Sequence, residues 1–361
     1  MKKIQFFIGT RPEATKLCPL VRVLKEREGV AVRTCVTGQH RDLLAGAFDP
    51  FGIFPDEVYR LPAGLPLSAL FARVFATCGE TLGREMPHAA VVQGDTLSAT
   101  AAALAAFYRG VPVFHVEAGL RTYADLPYPE EAHRRMIAPL ARLHFAPTAA
   151  ARENLLREGI PSERIFVTGN TGLDALRYTL RREFHHALLP AGRLLLLTLH
   201  RRESIGAPME AVFSAVRRIV AAHPDVTLVF PLHKNAVGEA ARRALADLPR
   251  VVTCEALPPA VFANLLARAT LVLTDSGGVC EEASFLHIPT LILRAQTERT
   301  EAIAVGAALA VGTDGDAVFA AAHRLICDPA ARRKMENAPC PYGDGHASER
   351  IADAICKENL T

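Results

Sequence analysis

The chain has no apolar run approaching the length that spans a bilayer, so no membrane-spanning helix is expected. A large excess of either charge is also missing. Net charge is +3 with 22% charged residues, which gives no reason to expect nucleic acid or an anionic surface as partner. The eight cysteines stand singly, without a Cys-x-x-Cys pair, and read as reduced thiols rather than a disulfide framework. No His-Glu-x-x-His spacing occurs, and no metal is expected. The opening Met1–Ile8 has two lysines and only a brief apolar run before Gly9, so it reads as a first strand and not as a signal peptide. Repeats and low-complexity tracts are absent as well.

What is present is alternation. Strand-like runs at Ile4–Ile8, Val32–Val36, Ala89–Val92, Val113–Val116 and Leu143–Ala146 are separated by helical stretches such as Ala14–Glu26 and Ser98–Tyr108. Past Ile165–Val167 the pattern loosens, with a helix expected over Asp174–Phe184 and a linker over His185–Gly192. A second series follows: Leu194–Leu199, Thr227–Pro231, Val251–Thr253, Leu271–Thr274, Thr290–Leu293 and Leu309–Val311. Alternating βα units imply parallel sheets, and two series imply two doubly wound α/β domains. The expected boundaries are 1–172, a linker 173–192, 193–345, and a final helix in 346–361 packing back on the first domain. In such sheets ligands sit beyond the carboxyl ends of the strands, so the site is expected in a cleft between the domains.

Polar residues collect at those strand ends. Thr274-Asp275-Ser276-Gly277-Gly278-Val279-Cys280-Glu281-Glu282 follows an apolar strand and precedes a helix. A tight Ser-Gly-Gly turn there aims unpaired N–H groups and a helix dipole at one point, suiting the diphosphate of a nucleotide. An ordinary βα turn that needs small residues is the alternative. Thr10 and Glu13 have capping-box spacing with Pro12 between them, and Arg11 and Lys16 add positive charge nearby. Those cations either face phosphate or are solvated. Asp95 follows a strand and is either functional or the cap of the next helix. Glu117 ends another strand and is either functional or paired with Arg121; Glu130 sits in a loop stiffened by Pro127 and Pro129, or simply opens an acidic first turn. His200 and His233 each follow a strand of the second half.

The motifs Gly-Thr-Arg-Pro-Glu-Ala-x-Lys, Gly-Asp-Thr, His-Val-Glu-Ala-Gly-Leu-Arg-Thr, Pro-Glu-Glu-x-x-Arg, His-Arg-Arg-Glu, Asp-Ser-Gly-Gly-x-x-Glu-Glu, Thr-Glu-Arg-x-Glu-Ala and Pro-Tyr-Gly-Asp-Gly occur in order from residue 9 to 345. Over nearly its full length the chain resembles the non-hydrolysing UDP-N-acetylglucosamine 2-epimerases. The resemblance implies a glycosyltransferase-B-like pair of Rossmann-like domains, with the nucleotide held mainly by the second. It implies interconversion of UDP-GlcNAc and UDP-ManNAc for surface polysaccharide synthesis, in a cytoplasmic homodimer with neither cofactor nor metal.

Position by position, the resemblance makes Asp95, Glu117 and Glu130 acid/base carboxylates and sets His200 at the sugar or leaving diphosphate. Arg11, Lys16, Arg134 and Arg299 would surround the diphosphate and sugar, with Ser276, Gly277 and Gly278 on phosphate and Glu282 on ribose. Gln39, His40 and Arg41, with His233, match a site where bacterial relatives bind a second UDP-GlcNAc as activator. The Gly-Gln that usually follows is Gly64-Leu65 here, which argues against activation. His133, Cys280 and Thr300 also depart from the common pattern. A related epimerase for a modified UDP-sugar, a hydrolysing epimerase, a glycosyltransferase and a non-catalytic nucleotide-sugar-binding regulator remain alternatives at this stage.

Overall fold

The computed structural model describes all residues except 40–45, 126, 200–205, 233–235, 295–296, 298–299 and 361. His40, Arg41, His200, His233 and Arg299 therefore lie outside the described residues. The chain divides into two compact units, one formed by Met1–Tyr178 with Tyr342–Thr361, the other by Thr179–Pro341.

The first unit begins β1 (Lys2–Ile8), α1 (Arg11–Lys25), β2 (Val30–Val36), β3 (Glu57–Val58), α2 (Leu67–Glu85), β4 (Ala89–Gln93) and α3 (Leu97–Tyr108). It continues with β5 (Val113–Val116), α4 (Glu130–Ile137), β6 (Ala141–Ala146), α5 (Ala149–Arg157) and β7 (Ile165–Val167), and α6 (Thr171–Thr179) leads out of it. Its sheet is parallel, in the order β3-β2-β1-β4-β5-β6-β7.

The second unit holds β8 (Arg193–Thr198), α7 (Ala207–Ala222), β9 (Val226–Leu232), α8 (Ala236–Leu245), β10 (Val251–Glu255), α9 (Pro259–Leu266), β11 (Leu271–Thr274), α10 (Gly277–Phe285), β12 (Thr290–Ile292), α11 (Thr300–Ala304), β13 (Ala308–Ala310), α12 (Gly315–Cys327) and α13 (Pro329–Glu336). Its parallel order is β10-β9-β8-β11-β12-β13. The chain closes with α14 (Ala347–Lys357), whose Ile351, Ala352 and Ile355 are buried in the core of the first unit beside α1. Both units are thus doubly wound, and in each the strand order reverses once: beside β1 and β4 in the first, beside β8 and β11 in the second. That reversal leaves a crevice at the carboxyl ends of the two strands, which positions a ligand site.

Local sequence explains the elements. The Leu194–Leu197 run of β8 is buried throughout, as a parallel strand covered on both faces requires. Thr10 caps α1, accepting from the Glu13 N–H, with Pro12 in the first turn. The alanines of α3 let it pack closely under the sheet beside α2; the helix is buried from Leu97 to Ala106 except for the half-buried Leu104, and only Phe107 and Tyr108 at its carboxyl end are exposed.

One expectation needs correction. The helix expected over Asp174–Phe184 is α6 and stops at Thr179. Asn264 ends it: its amide donates to the Thr179 carbonyl at 2.8 Å and accepts the Arg181 N–H at 2.9 Å. A further strand, β3, is too short to leave any periodicity in the sequence. The Asp56 carboxylate pins this edge, accepting from the N–H and hydroxyl of Thr34 at 2.8 and 2.9 Å. Among the described residues no helix is long and apolar enough to cross a membrane.

Candidate active site

In the first unit the strand ends converge on Glu117. This residue directly follows β5 with a positive φ of 63°, a conformation that favours glycine and that non-glycine residues hold mainly where their surroundings enforce it. The enforcing contacts are visible. Lys16 of α1 places its ammonium 2.7 and 2.5 Å from the two carboxylate oxygens of Glu117. Gln93, at the end of β4, donates from its amide to Glu117 Oε2. Arg121, the partner considered from sequence, pairs instead with Glu158 at 2.6 Å.

Asp95 lies just beyond β4. It does not cap α3; Thr96 does, accepting the Ala99 N–H at 3.0 Å. Its carboxylate receives the Nε of Arg134 at 2.7 Å. Burial pushes the Asp95 carboxyl above its ordinary value; Arg134 opposes this and the neighbouring charge of Glu117 adds to it. The turn that carries Asp95 is gripped from two sides. His115 donates through Nε2 to the Gly94 carbonyl at 2.7 Å, and His133 through Nδ1 to the Asp95 carbonyl at 2.8 Å. Burial lowers the pKa of His115 to about 4, so its ring stays neutral. His133, a departure at sequence level, is therefore a positioning group.

Glu130 opens α4 and is half-buried. The adjacent Glu131 is the buried one. It accepts the N–H groups of Thr122 and Tyr123, both at 3.1 Å, and the guanidinium of Arg134 at 3.2 Å. Burial works to raise its pKa, yet those donors prevail and hold it below the ordinary value. Arg134 thus bridges Glu131 and Asp95 and aims the latter.

Glu13 has a larger part than its capping-box spacing announced. It is fully buried, accepts the Gly9 N–H at 3.1 Å and the Thr96 hydroxyl at 2.8 Å, and so joins the ends of β1 and β4. Burial raises its pKa to about 7 against the opposing hydrogen bonds. Gly9 makes the junction sterically possible, since a Cβ there would lie 2.0 Å from Ser98 Oγ. Arg11, the first residue of α1, is half-buried at the same strand end. Gln39 approaches α3, where its side-chain oxygen accepts the Ser98 N–H at 3.0 Å.

In the second unit the Ser-Gly-Gly stretch is the first turn of a helix rather than a turn before one. Ser276 caps α10 and accepts from Val279, while Gly277 and Gly278 are its first residues. The strand end beneath is tied by the Thr198 and Thr274 hydroxyls at 2.6 Å, and Thr274 also accepts the Ser276 N–H at 2.9 Å. A Cβ on Gly278 would meet no atom within 4 Å and its φ is not positive, so nothing inside the protein demands glycine there. Glu282 lies one turn later on the Gly278 face of α10, half-buried. Cys280 is buried and serves packing, and Thr300 opens α11.

Doubly wound α/β units with carboxylates at one set of strand ends and a glycine-rich helix start at another have the layout expected of the glycosyltransferase-B-like class, and the solved relatives below share it. A family model described as UDP-N-acetylglucosamine 2-epimerase matches residues 22–356. The UDP-N-acetylglucosamine 2-epimerase of Bacillus subtilis (strain 168) is 42% identical, over 98% of this chain and 94% of its own. An S. aureus protein solved with UDP superposes with a TM-score of 0.92 at 41% identity, covering 98% of this chain and 96% of that one. The Neisseria meningitidis UDP-GlcNAc 2-epimerase solved with UDP-GlcNAc gives 0.91 at 34% identity, covering 99% and 100%. The chain belongs to the UDP-N-acetylglucosamine 2-epimerase family and is an epimerase, an isomerase by reaction class.

Proposed function

We propose that this enzyme interconverts UDP-GlcNAc and UDP-ManNAc without hydrolysis, by eliminating UDP to 2-acetamidoglucal and adding it back with the opposite configuration at C2. The C2 proton of the sugar is barely acidic, because no carbonyl is attached to that carbon. It becomes removable only as the C1–O bond to UDP breaks and positive charge grows at C1. Two kinds of group are therefore needed: donors that stabilise the leaving diphosphate, and proton-transfer groups that reach C2 from both faces.

The observation that carries the reading is the convergence of Asp95 and Glu117 at adjacent strand ends, each held by its own cation. Asp95, whose proton is held more tightly than usual, suits the acid role, and Glu117, fixed by Lys16 and Gln93, suits transfer at a defined position. Glu130 is the third candidate. The first turn of α10 binds the diphosphate, with Gly277 and Gly278 supplying N–H donors and Glu282 taking the ribose. Arg11, His200 and Arg299 add cationic support to the departing UDP. In the cell we assign the enzyme to the cytoplasm, as a homodimer feeding surface polysaccharide precursors.

The test is proton NMR of the purified enzyme with UDP-GlcNAc in deuterated water. UDP-ManNAc carrying deuterium at C2 is the expected product. Free ManNAc with UDP would instead make the enzyme hydrolysing, and an unchanged spectrum would remove UDP-GlcNAc as substrate.

A further inference from the structure

At the opposite edge of the second unit lies a group of side chains that the epimerase chemistry does not use. His223 ends α7, and His323 and Cys327 occupy the last turns of α12, which packs beside α7. Both helices follow a parallel strand and run back against it, so their carboxyl ends meet at the amino-terminal edge of the sheet, away from the Ser276 turn. His323 and Cys327 are four residues apart and share one face of α12. One ligand atom from each of His223, His323 and Cys327 can be chosen so that all three lie within 4.8 Å of one another.

We propose that these residues form a site for a divalent zinc-type ion. The donor set is two imidazole nitrogens and one thiolate, which selects borderline and soft transition metals over magnesium or calcium. Tetrahedral zinc with Zn–N bonds of about 2.0–2.1 Å separates its ligand nitrogens by about 3.3 Å. His223 Nε2 and His323 Nδ1, 3.1 Å apart, already stand at that separation. Cys327 Sγ touches the opposite nitrogen of His323, Nε2, at 3.9 Å, so a side-chain rotation of Cys327 or His323 brings all three ligands, now within 4.8 Å, around one ion. The site is also braced. Phe319, one turn before His323, stacks on its ring at 5.5 Å, and the Arg218 guanidinium covers Phe319 at 4.2 Å. His223 is buried, whereas His323 and Cys327 are exposed, so an ion enters from solvent and water completes the shell.

Binding forms two N–metal bonds and one S–metal bond, and the Cys327 thiol releases its proton to solvent. The metal ties the carboxyl ends of α7 and α12 together and stabilises the second unit. Proton transfer at the sugar is untouched. The sequence carries no signal of the site, because His223 is remote in the chain from the other two ligands and His323-x-x-x-Cys327 is neither a Cys-x-x-Cys nor a His-Glu-x-x-His spacing.

The test is cobalt(II) titration of the chelator-stripped full-length enzyme, followed by absorption, with zinc competition. One cobalt per chain is expected, with a near-ultraviolet thiolate-to-cobalt band that zinc abolishes. Cys327→Ser should remove the band and leave epimerisation unchanged, and His323→Ala, also at an exposed position, should weaken cobalt binding at least about tenfold. Zinc should raise the melting temperature of the wild type and not of Cys327→Ser. Absence of the band, its persistence in Cys327→Ser, or cobalt affinity unchanged in His323→Ala would each overturn the site. None of these readouts depends on the sugar reaction.

Discussion

The two units wind their strands in the same order around the same central reversal, yet they bury different things. The second builds its central strands from Leu194–Leu197 and Leu271–Leu273, apolar throughout. The first encloses Gln5, Glu13, Gln93, His115, Glu117 and His144 in or beside its sheet. Burial drives His115 down to about 4 and His144 to about 3, and lifts Glu13 to about 7. Polar burial costs stability unless the groups are hydrogen-bonded, so it marks where the structure is organised for something beyond packing. Equal topology with unequal interiors separates a scaffold that holds proton-transfer groups from one that offers a helix start.

The strongest way to sharpen that contrast is Glu117→Gln, which should lower turnover at least about a hundredfold, the scale of a general acid–base group, in an NMR epimerisation assay. Near-normal turnover would remove Glu117 from the chemistry. Glu13→Gln comes next and is read in stability. The folded carboxyl holds its proton to about pH 7, whereas the unfolded one releases it near 4.5. Between those values the native state binds more protons, so wild-type stability falls as pH rises through pH 4.5 to 7 and levels off above. Denaturant melts should show a decline on the order of 3 kcal/mol, flattened in the Gln variant. Equal slopes in the two proteins would mean that Glu13 ionises normally.

In the second unit the expected effect is on binding alone. Gly278→Ala adds a methyl in open space and improves helix propensity, so the melting temperature should hold or rise slightly. UDP affinity by calorimetry should drop about tenfold, the scale of one charge-assisted hydrogen bond. Unchanged affinity would leave the glycine without a ligand role. Smallest of all is Asp353→Ala, which breaks the exposed pair of Asp353 with Arg27 at 2.6 Å. Such pairs contribute under about 1 kcal/mol, and thermal melts should barely shift. A large loss would show that charge, and not the apolar face of α14, holds that helix in place.

The series of strands was legible because parallel strands leave continuous apolar runs. Val113–Val116 and Leu271–Leu273 needed no partner to be recognised. Carboxylates at strand ends were legible too, because βα loops begin there. What escaped depends on distant partners. Glu13 reads as a cap until Thr96 is seen beside it, and Glu117 seems destined for the nearby Arg121 until Lys16 is found closer. Glu131 and its neighbour Glu130 are indistinguishable by residue type, and only the Thr122 and Tyr123 N–H groups decide which one is buried. The end of α6 escaped because its stop signal, Asn264, lies in another helix.

The place of α14 bears on how the chain is made. Its Ile351, Ala352 and Ile355 complete the core that β1 and α1 begin. During synthesis the residues of the second unit leave the ribosome as one continuous stretch and can collapse on their own. The first unit must wait with its α1 face uncovered until the final helix is released. The half of the protein that is translated first is therefore the half that is finished last.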